Sequence, residues 1–304
     1  MGKLKKVVQS YNRLVRRKGL AGLDTAIILI AFIITASVLA FVAINMGLFV
    51  TQKAKTTINK GEETASTALT VSSSVLYAVN YPTNSKSYWI YFTVSPTSGV
   101  SSVELDPATT GLSFVATQEG LTLSNIYKYT LLTVPNPGTL YSTVSGSYLT
   151  LQNNVSSGGN TYVYYPNPYY ALLALNETLG KNMKNSPIYI NYTAYTVQSP
   201  EPVWLKHDNN FTFTLTINGN TVKYYVFVNQ TFAFSFPVAG DPLVGSAIAP
   251  AGSTIGFMIL FGPNVGSHIF EYQTINIQIT PNIGSPLTLS EYIYQPEGSV
   301  TSIG

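Results

Sequence analysis

The chain has 304 residues, of which 10% are charged, and it contains 22 Tyr and no Cys. Charge is far below the roughly 25% of an average globular protein, yet the aromatic content excludes a disordered chain. The missing Cys excludes disulfides and thiol-based metal or redox chemistry, so core size, sheet pairing or assembly must stabilise an exported domain.

The net charge of +3 is unevenly placed, because seven of the sixteen Lys and Arg residues lie in positions 1–19. Beyond residue 19, nine basic residues face thirteen acidic ones, which leaves −4. No nucleic-acid partner is expected, since the domain itself would have to be basic. The head reads instead as a segment held on the cytoplasmic side of a membrane.

In chain order, the first element is this basic head, residues 1–19, ending in Arg16-Arg17-Lys18-Gly19. It runs through Leu20-Ala21-Gly22-Leu23-Asp24 into a stretch without charge from Thr25 to Gln52. An ordinary secretory signal has an apolar run of about 7–15 residues with the cleavage site after it. Here the apolar run is longer, and the obvious processing dipeptide, Lys18-Gly19, precedes it. Cleavage between Gly19 and Leu20 would leave the hydrophobic helix on the mature protein.

Leu20 to about Ser72 reads as one long helix with no proline. Its first half is apolar on every face, as expected of a helix buried all round. The charge-free run is long enough to cross a bilayer core of roughly 30 Å with tilt. Ala36, Ala40, Ala43, Gly47, Thr51, Ala54, Gly61, Ala65, Ala68 and Ser72 follow a helical period. Small residues so spaced let helix backbones approach closely. Off-stripe small residues such as Ala31 and Ser37 keep open the plainer reading, that such residues are simply common here.

From about Tyr77 the signal becomes β. Tyr88-Trp89-Ile90-Tyr91-Phe92-Thr93-Val94 is rich in strand formers, and Phe211 to Ile217 alternates between apolar residues and Thr. Asn218-Gly219 then marks a hairpin turn into Thr221–Val228. Ile275, Ile277 and Ile279 alternate with polar residues, and Pro286–Tyr294 reads as a final strand. Residues 169–184 could hold a short helix. Strands punctuated by Gly, Pro and Asn argue a β-sandwich. The expected fold class is therefore α+β: a long N-terminal hydrophobic α-helix followed by an all-β, Ig-like β-sandwich. The expected boundaries are a cleaved signal at 1–19, a filament-core or transmembrane helix at 20–75, and an outer domain at 76–304.

The segment Arg17-Lys18-Gly19-Leu20-Ala21-Gly22-Leu23-Asp24-Thr25-Ala26-Ile27-Ile28-Leu29-Ile30-Ala31-Phe32-Ile33 resembles the N-terminus of archaellins, the archaeal flagellins of the type IV pilin-like superfamily. The resemblance continues through Asn45–Val50, and Asp241–Pro250 is similar to archaellins of Sulfolobus-type archaea. It implies a class III signal peptide cut by a prepilin-type signal peptidase. It also implies assembly with copies of itself into the archaellum, a rotating extracellular filament, on a membrane assembly platform and motor.

Asp24 carries the sole charge between Gly19 and Gln52. It could be only a helix N-terminal acid favoured by the macrodipole. An uncompensated carboxylate among apolar helices is costly, however. The favoured reading makes Asp24 the partner of the new Leu20 amine, on its own or a neighbouring subunit. Five Asn-X-Ser/Thr sequons, at Asn154, Asn176, Asn191, Asn210 and Asn229, are candidate N-glycosylation sites for an oligosaccharyltransferase. At least three are expected to carry glycan; the alternative is unmodified turn asparagine. His207 and His268 stand 61 residues apart without ligand spacing, so no metal is expected. Gly240–Gly256 reads as a region of tight turns. No phosphate loop, dinucleotide fingerprint or nucleophile elbow occurs, so neither a cofactor nor an enzyme is expected.

Two other readings remain open: an adhesive archaeal pilin, and a membrane-tethered solute-binding module. A tether needs only about 20 apolar residues and a flexible linker. Here the helical pattern runs on past the span without such a linker.

Overall fold

The computed structural model describes residues 2–65, 68–83, 85–100, 102–132, 140–141, 148–149, 154–157, 160–179, 186–194, 210–217, 220–240 and 246–303. The chain divides into two units, Met1–Glu62 and Glu63–Gly304.

The first unit is helix α1, Gly2–Ala65, 64 residues long. Its hydroxyl side chains fold back on the helix: Thr35 donates to the Ala31 carbonyl at 2.9 Å, Ser37 to Ile33 at 2.7 Å and Thr51 to Gly47 at 2.8 Å. Bonds of this kind satisfy a hydroxyl without water or a partner helix.

The helix ends earlier than the sequence reading placed it. Leu69–Val71 is already a strand, paired with Ser87–Pro96, so the helix does not reach Ser72 or residue 75. The reason lies in Leu69-Thr70-Val71-Ser72-Ser73-Ser74-Val75. β-Branched residues lose rotamer freedom in a helix, and serines offer the backbone competing hydrogen bonds. The sheet then takes those backbone groups: Ser72 N donates to Thr93 O at 2.8 Å, and Thr97 N to Ala68 O at 3.0 Å. Ala68 and Ser72 therefore drop out of the small-residue stripe; Ala68 is buried in the β-domain.

The second unit is built in three layers. Its middle is a seven-stranded sheet in the order Val300–Ile303, Val75–Val79, Ser87–Pro96, Thr254–Leu260, Phe232–Ala239, Tyr127–Thr130, with Leu69–Val71 also on Ser87–Pro96. All its pairings are antiparallel except Phe232–Ala239 with Tyr127–Thr130, which is parallel. Both faces of this sheet are covered. On Ser87–Pro96, Ile90, Phe92 and Val94 enter one core, and Trp89 and Tyr91 enter a second. A strand buried on both faces reads as a continuous apolar run, as this one does.

The first core lies against a four-stranded sheet in the order Leu287–Ile293, Gln273–Thr280, Gly111–Ala116, Leu121–Leu123. Ile275, Ile277 and Ile279 supply one side of that packing and are fully buried. Sandwich and strand positions thus follow the sequence reading.

The second core is an addition to it. A three-stranded sheet (Ile188–Ala194, Asn220–Val228, Asn210–Ile217) and helix α2 (Pro168–Leu179) cover the other face. The register Ile217↔Asn220 closes the expected hairpin, though Asn218-Gly219 lies outside the described residues. Helix α2 starts conventionally. Asn167 Oδ1 accepts the Tyr169 N–H at 2.9 Å, and Pro168 occupies a first-turn position that needs no donor. Ala171 to Asn176 are buried without a break, so α2 is enclosed rather than amphipathic.

Two tyrosines anchor the first core. Tyr127 Oη donates to Leu105 O at 2.5 Å and bonds the Ser235 hydroxyl at 2.7 Å. Tyr77 bonds Ser87, whose hydroxyl donates to Ile269 O at 2.5 Å. Burial pushes the Tyr77 phenol up to about 12, because its anion would lose hydration there. In Gly240–Gly256 the turn reading holds at Gly240, with φ +94° and an added Cβ only 2.5 Å from Ser253 Cα. Residues 241–245 lie outside the described residues.

Candidate assembly interface

The feature that most needs explanation is the surface of α1. From Leu23 to Ile58 it carries eighteen large apolar side chains, each 47–70% exposed. A stretch from Gly22 to Asn59 is long and apolar enough to cross a membrane, and its most apolar window is wholly unburied. Each such side chain left in water forgoes about 1.5–3 kcal/mol of burial. Summed along the helix this is on the order of tens of kcal/mol, more than a domain's net stability. The helix therefore requires lipid or other helices around it.

The small-residue positions lie in this exposed surface. Ala36, Ala40, Ala43 and Gly47 are all exposed, and a Cβ added at Gly47 meets nothing within 4 Å. Among the described residues, nothing at Gly47 requires a small side chain, and the three alanines are equally open.

Asp24 is exposed on α1, and helical backbone through residues 20–24 sets Leu20 and Asp24 one turn apart. Among the described residues no ion pair to Asp24 occurs. The backbone at Lys18, Gly19 and Leu20 is helical; their side chains lie outside the described residues.

The sequons divide sharply by environment. Asn176 sits in α2 at 3% exposure, and its Oδ1 accepts the Ile190 N–H at 3.2 Å. Ile190 belongs to an outer strand of the three-stranded sheet, so Asn176 satisfies a sheet-edge donor inside the core. A sugar on Asn176 would require α2 to leave that sheet, so the structure argues against this sequon. Asn229 lies between two strands, but its Nδ2 donates to Ser186 O at 2.7 Å and the Thr231 hydroxyl of its sequon accepts from Gly262 N at 2.8 Å. Asn191 and Asn210 are half-buried on strands. Asn154 starts a strand, and its side chain lies outside the described residues. A triplet says nothing about burial, so sequence reasoning could not set Asn176 apart from the others.

His268 pairs loosely with Glu119, Nδ1 to Oε2 at 3.6 Å, with both side chains about half exposed. Among the described residues no group of three or more His, Asp or Glu side chains could hold a metal ion. His207 lies outside the described residues.

A β-domain with cores of its own, joined in sequence to a helix whose apolar side chains stay exposed, is the layout of a subunit completed by lipid or by other helices. The archaeal-type flagellin family model matches residues 19–291. The chain is 71% identical to flagellin FlaB2 of Saccharolobus shibatae, over 99% of each chain. Two solved structures are similar at low identity. The archaeal flagellum of Methanospirillum hungatei matches at 13% identity and TM-score 0.35, covering 90% of this chain and 94% of that one. The flagellin FlaB1 crystal structure from Methanocaldococcus jannaschii matches at 9% and 0.39, covering 77% and 95%. The chain belongs to the archaeal-type flagellin family. Its function is that of a structural subunit of the archaeal swimming filament, in a family of structural proteins rather than enzymes.

Proposed function

We propose that the subunit is cut between Gly19 and Leu20 by a prepilin-type peptidase, waits in the cytoplasmic membrane on α1, and then passes into a filament of identical copies. The observation that carries this reading is the run of eighteen exposed apolar side chains on α1. Lipid covers them before assembly and neighbouring α1 helices cover them afterwards. Because lipid is as apolar as leucine, that transfer gains little hydrophobic free energy. Close packing at Ala36, Ala40, Ala43 and Gly47 supplies the preference, through dispersion between helices that approach tightly. One repeated head-to-tail contact generates an open helix rather than a closed ring.

The new Leu20 amine and Asp24 neutralise each other within or between subunits, which lets a carboxylate enter an apolar core. The filament itself is passive: an assembly platform receives the subunit, and a motor at the base supplies torque. An oligosaccharyltransferase modifies exposed sequons on the outer domain. A solute-binding tether fits less well. Ser66, Thr67 and Ala68 alone separate α1 from the first strand, and they form no Pro- or Gly-rich linker.

N-terminal sequencing of purified filaments tests the processing step. The expected first residue is Leu20. A start near Phe41, where an ordinary signal peptidase would cut after Val38-Leu39-Ala40, would remove half of the apolar surface and sink the helix-core reading.

A further inference from the structure

The apolar run of α1 ends at two exposed lysines, Lys53 and Lys55, to which packing between apolar helices gives no role. Their place along the helix is informative. Asp24 and Lys53 stand about 44 Å apart along a straight helix. A bilayer with its headgroups is about 40–45 Å thick. With Asp24 at the cytoplasmic face, Lys53 therefore reaches the headgroups of the other face.

The side chain is aimed as well as placed. Side chains on a helix lean toward its N-terminus, which at this end of the span means back toward the bilayer. Lys53 does so: its Nζ lies 5.7 Å from the centre of the Phe49 ring, one turn earlier. Phe49 is itself 60% exposed, so the ring supports the ammonium without enclosing it. Lys55 lies about 200° around the helix from Lys53. The two thus reach lipid on different sides, and Gly47, Thr51 and Ala54 lie on the face between them, open to another helix. The positions one turn before and after each lysine hold no acid, and the first carboxylates beyond Asp24 are Glu62 and Glu63. Along α1, then, neither lysine has an anion within a turn. Lipid phosphate is the anion found at this depth of a bilayer, and it draws lysines that border a span.

We infer that Lys53 and Lys55 bind the phosphate groups of anionic lipids in the outer leaflet, and so fix the depth at which α1 waits before assembly. The inference rests on the membrane stage proposed above.

The test uses the full chain reconstituted in vesicles of phosphatidylcholine and phosphatidylglycerol, in which one lipid or the other carries brominated acyl chains. Bromine quenches a nearby tryptophan. Leu48→Trp, at an exposed position less than two turns before Lys53, places the reporter in the outer leaflet. It is about 43 Å along the helix from Gly19, out of reach of the basic head. The signal of the two native tryptophans is taken from the parent chain and subtracted. Phosphatidylglycerol should quench the reporter with a preference of at least about fivefold over phosphatidylcholine, the effect of one lysine at an anionic surface. Lys53→Gln with Lys55→Gln should bring that ratio to about one, and about 1 M salt should do the same. Lys53→Arg with Lys55→Arg should keep it. Far-ultraviolet circular dichroism checks that α1 stays helical in each variant. A ratio of about one with both lysines present overturns the inference and leaves the span standing. So does a ratio that the Gln variant keeps or that the Arg variant loses. Quenching by neither lipid overturns the membrane stage itself, and the inference with it.

Discussion

At the scale of single residues, Asn176 shows what a triplet motif leaves unsaid. The sequence Asn176-Glu177-Thr178 is a formal sequon, but the structure uses both polar side chains internally. Asn176 Oδ1 takes the Ile190 N–H, and the Thr178 hydroxyl donates to Ala174 O at 2.9 Å. Nothing in the triplet signals this, because the partner strand lies fourteen residues downstream. Peptide mass spectrometry of filaments should find Asn176 unmodified, whatever the other sequons carry. Asn176→Ala should also destabilise the β-domain by about 1–3 kcal/mol, the cost of stranding a buried backbone donor. Thermal unfolding checks that figure. Full glycan occupancy at Asn176 would mean that α2 docks only after modification, or in another place.

At the scale of elements, legibility depended on whether an element keeps one face wet. Phe211–Ile217 alternates because Phe211, Phe213 and Leu215 are buried while Thr212, Thr214 and Thr216 are exposed, and that period is visible in the letters. Ser87–Pro96 is buried on both faces, so its apolar run announces a strand without saying what covers each side. Hence the third layer was not legible as a layer, although its hairpin and a short helix within 169–184 were. The helix that helps form it, α2, is only 12 residues long and enclosed, so it too lacks a one-sided pattern. The small-residue stripe on α1 lies at the other extreme: its period is plain, while the packing role proposed for it concerns an assembly. Gly47→Leu tests it cleanly, since a Cβ there meets nothing within 4 Å among the described residues. The substitution suits lipid and should leave membrane insertion intact. Overpacking a tight contact costs about 1–3 kcal/mol, repeated in every subunit. Electron microscopy should show few or no filaments, with subunit retained in membranes. Val42→Leu, off the stripe, should be milder. Normal filaments from Gly47→Leu beside none from Val42→Leu would place the contact on another face.

For the whole molecule, the division of labour is between a domain that folds on its own contacts and a helix that does not. The β-domain buries two aromatic-rich cores, while charged residues make up only 10% of the chain. With so few charges, ion pairing cannot supply much of the cohesion between subunits, and exposed pairs contribute about 0–1 kcal/mol each in any case. In the proposed assembly, cohesion along α1 would come instead from dispersion and the exclusion of water. Salt and detergent should therefore act in opposite ways. At about 1 M salt, where charge interactions are screened beyond roughly 3 Å, filaments should stay intact. A detergent that offers α1 a new apolar environment should release subunits, and the released subunits should keep the near-ultraviolet circular dichroism of a packed β-domain. Sedimentation separates filament from subunit under both conditions. Dissolution by salt alone would assign the cohesion to charged groups such as Asp24 and its amine partner. Loss of the near-ultraviolet signal on detergent release would show that the β-domain depends on its neighbours for its own packing.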